Sequence, residues 1–174
     1  VIGHRGAAGL APENTLPSFR KALDLGCRAI ELDVHAVRDV EDTTQLMVIH
    51  DDTVQRTTNG KGLVSNHTFE QLTKLDAGDG NPIPRLAEVT ALVAQHFADA
   101  QPLINIELKG KGTAAPTARF LQASPELAVL ISSFDHRELA AFRALDDTTP
   151  IAPLFDRARA SMLDTASALG ASCL

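Results

Sequence analysis

The chain has 174 residues, 44% of them hydrophobic and 22% charged, with a formal net charge of −6, which is the composition of one globular domain large enough for a substantial core. The acidic balance argues against a broad nucleic-acid or anionic-membrane surface, each of which wants a basic face, and still allows a small anionic substrate met by a few local cations. No apolar run approaches the length of a membrane span, and Cys27 and Cys173 are too few and too isolated for a disulfide framework or a zinc site.

In chain order, Val1 to His4 starts a short strand and Arg5 to Gly9 is a turn rich in small residues. Asn14 or Thr15 can cap a helix whose buried stripe is Leu16, Phe19, Ala22 and Leu23, with Gly26 as its stop. The strand Ala29 to Val34 follows, so the opening is strand, helix, strand and favours a parallel pair. Residues 36–45 are polar without helical spacing, which predicts a hairpin-like loop into the next strand, Leu46 to His50, and brings His50 back over the strand before it. Asp51 to Gly62 reads as a loop, Thr68 and Gln71 as a capping box, and Leu86 to Phe97 as an amphipathic helix. A strand over Leu103 to Lys109, a helix over Pro116 to Gln122 and a strand over Ala128 to Ser133 come next. A helix capped by Asp135 and Glu138, a strand over Ile151 to Leu154, a helix through Met162 and Leu169, and a further strand start at the C-terminus complete the alternation. This pattern is α/β with a parallel sheet. An open doubly wound sheet fits the strand count, but no Gly-rich phosphate loop follows the first strand, and a barrel mouth better accommodates strands that are charged near their ends.

Two strands share one pattern. Ile30, Leu32 and Val34 alternate with Glu31 and Asp33, and Ile104, Ile106 and Leu108 alternate with Asn105, Glu107 and Lys109. Period-two alternation gives each an apolar back and a charged front. Glu31, Asp33 and Glu107 converging in one mouth require positive charge between them. A divalent cation, Mg²⁺ or Ca²⁺ for an all-oxygen set, satisfies this, and so does a salt-bridge network with Arg28, Arg5 and Lys109. His4 and His50 end apolar strands beside these groups and suit a general acid/base pair, while Arg5 and Lys109 suit an anionic oxygen. His35, His67, His96 and His136 read as surface or helix-face residues. Acid/base pair, cation and basic residues together point to cleavage of a phosphate ester.

Gly3-His4-Arg5-Gly6, Pro12-Glu13-Asn14-Thr15, Glu31-Leu32-Asp33-Val34, His50-Asp51, Arg56-Thr57-Thr58-Asn59-Gly60, Ile83-Pro84-Arg85-Leu86 and Ile106-Glu107-Leu108-Lys109 occur in the order that resembles the glycerophosphodiester phosphodiesterases. The resemblance implies a TIM (β/α)8 barrel with a hairpin extension after its second strand, and a single domain over residues 1–174. It implies His4 and His50 as the acid/base pair, Glu31, Asp33 and Glu107 as ligands of Mg²⁺ or Ca²⁺, and Arg5 and Lys109 as phosphate contacts. The reaction implied is hydrolysis of a small-molecule glycerophosphodiester to sn-glycerol 3-phosphate and an alcohol, by attack of the glycerol 2-hydroxyl and opening of the cyclic phosphate by water. The chain departs from the family in its longer acidic stretch from Ala36 to Gln45 and in lacking the late Trp-containing motif, and it reads as a barrel without its last strands. Lysophospholipid or sphingolipid cleavage of phospholipase D type, and a non-catalytic barrel fragment for binding or assembly, are the alternatives.

Overall fold

The structure is a computed structural model that describes residues 1–97 and 102–173. Its elements run β1 (Ile2–His4), α1 (Leu16–Asp24), β2 (Ala29–Arg38), β3 (Thr44–Val48), a 3₁₀ turn (Val64–Asn66), α2 (Phe69–Leu72), α3 (Leu86–His96), β4 (Leu103–Leu108), α4 (Ala114–Gln122), β5 (Val129–Ser133), α5 (His136–Arg143), β6 (Ile151–Pro153) and α6 (Met162–Leu169). One sheet orders the strands β1-β2-β4-β5-β6, every neighbouring pair on that path parallel, with β3 antiparallel against β2. Parallel strands joined by helical crossovers are the staves of a (β/α) barrel, and these strands form an arc of one. Among the described residues β1 and β6 do not pair with each other. No helix there is long and apolar enough to cross a membrane.

Alternation divides the sheet as expected. Ile30, Leu32 and Val34 of β2 and Ile104, Ile106 and Leu108 of β4 join Phe19 and Leu23 of α1, Val89 and Val93 of α3, Ala118 of α4, and Leu139 and Phe142 of α5 in one core. Each large side chain fully buried there stabilises the fold by roughly 1.5–3 kcal/mol. The other face of β2 and β4 carries Glu31, Asp33, Asn105 and Glu107, so burying the aliphatics against the helices turns the carboxylates inward.

The hairpin is longer than its polar sequence suggests. β2 continues to Arg38 and pairs from Val34↔Val48 to Arg38↔Thr44, which reduces the expected 36–45 loop to a turn. A second core holds it, formed by Val37, Met47, Ile49, Val54, Val64, Leu72, Ala77 and Ile83. The Asp39 carboxylate closes the turn by accepting from the Glu41 and Thr43 amides at 3.0 and 2.9 Å. Asp39, one of the polar residues that suggested a loop, is thus the turn's own acceptor.

Two further expectations need correction. Asp135 caps α5 by accepting from the Arg137 amide, but Glu138 reaches across to the start of α4, accepting from the Gly112 and Ala114 amides at 2.8 and 2.9 Å. It therefore braces the turn that follows Lys109. At the C-terminus, residues 171–173 form no strand, although the Ser172 amide donates to the Ile151 carbonyl at 3.0 Å. Leu174, the last residue of that expected strand, lies outside the described residues.

Candidate active site

The loop after β1 builds one wall of the site. Arg5 and Asn14 adopt left-handed backbone angles, φ 51° and 57°, a conformation that costs about 1–3 kcal/mol for non-glycine residues and is held only where the surroundings over-determine it. Here they do. The Arg5 carbonyl accepts from the Asn14 amide and the Ser18 hydroxyl, both at 3.0 Å. Gly6 follows at φ 81°, where a Cβ would lie 2.5 Å from Ser18 Oγ, so no other residue fits against α1. In this conformation the Arg5 amide donates to Glu31 Oε2 and the Asn14 side-chain amide donates to Asp33 Oδ2, both at 2.9 Å.

Glu31, Asp33 and Glu107 are all buried, and one oxygen from each lies within 4.8 Å of the others. Asp33 and Glu107 are register partners across the β2–β4 pair, which is why residues so distant in sequence converge. Burial, reinforced by the Asp33 charge, pushes the Glu31 carboxyl up to about 7 despite the Arg5 amide. Lys109 Nζ lies 2.5 Å from Glu107 Oε1 and 3.5 Å from Asp33 Oδ1, and Arg5 Nε lies 3.3 Å from Asp33 Oδ2. Asp33 Oδ1 and Glu107 Oε1 nevertheless have no donor in hydrogen-bonding geometry. Part of the alternative salt-bridge network is thus present, through Arg5 and Lys109, whereas Arg28 is exposed and forms no ion pair with the three carboxylates. Three carboxylates face two fixed cations. Unsatisfied hard oxygens, converging and under-neutralised, fit Mg²⁺ or Ca²⁺.

The two histidines differ. His4 extends into solvent, its Nε2 3.8 Å from Glu31 Oε2. His50 is tethered, its Nδ1 2.6 Å from Asp51 Oδ1. Asp51 also accepts from Arg56 Nε at 2.6 Å and Nη2 at 2.9 Å. The same guanidinium reaches Glu13 through Nη1 and Nη2, both at 2.8 Å, and Glu13 accepts from Arg5 Nη1 at 3.0 Å. Arg56 holds the Asp51 and Glu13 carboxyls below their ordinary values and is itself raised. Glu13, Asp51 and Arg56 entered the sequence reading of the site only as pieces of the ordered motif set, and Asn14 otherwise only as a candidate cap, a place that Thr15 takes while Asn14 turns to Asp33.

His35 is the misread residue. It is buried rather than superficial, its Nε2 3.4 Å from the His50 carbonyl, and burial lowers its ring. It lines a cavity of about 300 Å³ with Asp52, Ser65, Lys109, Gly110 and Lys111. Phe134 approaches from the end of β5, its ring centroid 5.7 Å from Lys109 Nζ.

The described strands form an arc of a parallel barrel, and at their C-terminal ends they bring together a carboxylate cluster that could hold a metal ion, two histidines and two cations, groups suited to a phosphodiester. The sequence matches the model of the glycerophosphoryl diester phosphodiesterase family over residues 4–173, and the chain belongs to that family. It is 41% identical over 152 residues to a glycerophosphodiester phosphodiesterase of Caldanaerobacter subterraneus subsp. tengcongensis, covering 80% of this chain and 59% of that protein. It is 39% identical over 158 residues to one from Bacillus altitudinis, covering 83% of this chain and 62% of the other. The fold resembles that of an Oleispira antarctica phosphodiesterase in complex with the product sn-glycerol-3-phosphate, with TM-score 0.87 and 29% identity, over 98% of this chain and 72% of the other. The chain thus spans about three fifths of the length of these two curated relatives, and its fold is that of a TIM barrel.

Proposed function

We propose that residues 1–174 form one phosphodiesterase barrel domain that carries the reaction centre for hydrolysis of glycerophosphodiesters to sn-glycerol 3-phosphate and an alcohol. The observation that carries this reading is the buried triad Glu31, Asp33 and Glu107, with Arg5 and Lys109 against it. Glu31, Asp33 and Glu107 would hold a divalent cation, which when bound offsets phosphoryl charge. The guanidinium of Arg5 and the ammonium of Lys109 bind and orient the non-bridging phosphate oxygens. His4 and His50 move the protons: one ring takes the proton of the glycerol 2-hydroxyl as that oxygen attacks phosphorus, and the other protonates the departing alkoxide. The nucleophile is tethered to its target, which removes the entropic cost of bringing the two together. Water then opens the cyclic phosphate with the histidine roles reversed.

The test is product identity. Incubated with glycerophosphocholine and Mg²⁺ or Ca²⁺, the protein is expected to release glycerol 3-phosphate and choline, and a chelator is expected to stop release. Turnover that survives the chelator sinks cation dependence. Cleavage of lysophosphatidylcholine with glycerophosphocholine untouched assigns the site to the phospholipase D type. No turnover of either, with cation restored, favours a binding or assembly role.

A further inference from the structure

We propose that Arg56 is a positioning residue that locks Asp51 against the Nδ1 side of His50 and thereby sets the ring's tautomer, an inference that rests on the acid/base role given to His50 above. Arg56 lies in the polar loop after β3, remote in sequence from the carboxylate triad. Its guanidinium nevertheless makes four bonds, two to Asp51 at 2.6 and 2.9 Å and two to Glu13, both at 2.8 Å. It therefore fastens the loop that carries His50 to the loop after β1, which follows His4 and carries Arg5, whose Nη1 donates to Glu13 at 3.0 Å.

The chemistry follows from what each group can donate. An ionised carboxylate only accepts, so Asp51 Oδ1 at 2.6 Å requires a proton on His50 Nδ1 and leaves Nε2 as the ring nitrogen free to take or give a proton. Asp51 is only partly buried and is the immediate chain neighbour of His50. An exposed ion pair alone contributes about 0–1 kcal/mol and does not hold a side chain to one geometry. Arg56 changes that, because a planar fork engaged on both sides is preorganised and fixes the carboxylate plane. Its hydrogen bonds, with its charge behind them, also keep Asp51 ionised, and thus acceptor-only, well below the usual carboxylate range. Lys cannot substitute fully, since an ammonium on a flexible stem lacks the fork.

The experiment reads the ring directly, on ¹⁵N-labelled protein without added cation at a pH where His50 is neutral, with its signals assigned by His50→Gln. Long-range ¹H–¹⁵N spectra of wild type, Arg56→Lys and Arg56→Ala are compared with kcat and KM on glycerophosphocholine. Wild type is expected to show the Nδ1–H tautomer, Arg56→Ala a mixture with substantial Nε2–H, and Arg56→Lys an intermediate ratio. The expected kinetic change is a kcat about tenfold lower or more in Arg56→Ala with KM little altered. Ring spectra identical in all three proteins overturn the proposal and leave Arg56 as a loop brace, whatever happens to thermal stability. A raised KM with intact kcat overturns it as well. Should Arg56→Ala not fold, Arg56→Lys decides. Wild type without turnover defeats the proposed function, while the ring spectra still decide the tautomer.

Discussion

His50→Ala and His4→Ala are each expected to lower kcat for glycerophosphodiester hydrolysis by roughly 10²–10⁴-fold, the range that a positioned proton-transfer group supplies. The two losses are not expected to multiply, since acid and base act on the same proton-transfer sequence. Stability should separate them from structural damage. The His4 side chain is 68% exposed, so His4→Ala is expected to stay within about 0.5 kcal/mol of wild type, as surface changes do. His50 is part of a hydrogen-bonded network, and its removal is expected to cost on the order of 1 kcal/mol. Steady-state kinetics beside denaturant melts check this. Near-wild-type kcat in either variant removes that histidine from the chemistry.

Glu31→Gln is expected to make the cation-free protein more stable at neutral pH while abolishing the stabilisation that a divalent cation gives. The reason is linkage. Glu31 has an ordinary value of 4.5 and is raised to about 7 in the fold, first by burial and then by Asp33. Between those values the unfolded chain loses the proton and the folded chain keeps it. Stability therefore falls as pH rises from about 4.5 and has lost its full increment above about 7, on the order of 3 kcal/mol for one group shifted this far. Glutamine stays neutral and can still accept from the Arg5 amide. The difference between wild type and Glu31→Gln should thus be small at pH 4.5 and grow to its maximum by pH 8. Added Mg²⁺ or Ca²⁺ should raise the melting temperature of wild type at pH 8 and leave Glu31→Gln nearly unmoved. A pH-independent difference contradicts the burial of an ionisable Glu31.

The carboxylate triad was legible because strand alternation is a strong local signal. Ile30, Leu32 and Val34 against Glu31 and Asp33, and the same pattern through Glu107, placed all three on one face before any pairing was known. The helices were legible for a similar reason, with Phe19 and Leu23 or Val89 and Val93 at helical spacing. What did not read through was held by long-range or strained geometry. The tether from Arg56 to Glu13 joins residues 43 apart in sequence, and the bonds from Arg5 and Asn14 to Glu31 and Asp33 exist only because two non-glycine residues adopt positive φ. His35 was misread because β2 continues beyond Val34, carrying it into the interior. The hairpin strands were underestimated because their far ends, Arg38, Thr44 and Gln45, are polar, and Val37 needed the second core to disclose its role.

The most direct test of the account is a calorimetric titration of Mg²⁺ and of Ca²⁺ into chelator-stripped protein, repeated with Asp33→Asn, at a pH above 7 where Glu31 is ionised. Saturable binding of at least one of these cations at the Glu31–Asp33–Glu107 cluster is predicted, lost or weakened by an order of magnitude or more in Asp33→Asn. Absence of binding by either, or binding that Asp33→Asn leaves intact, contradicts a cation site built from these three carboxylates.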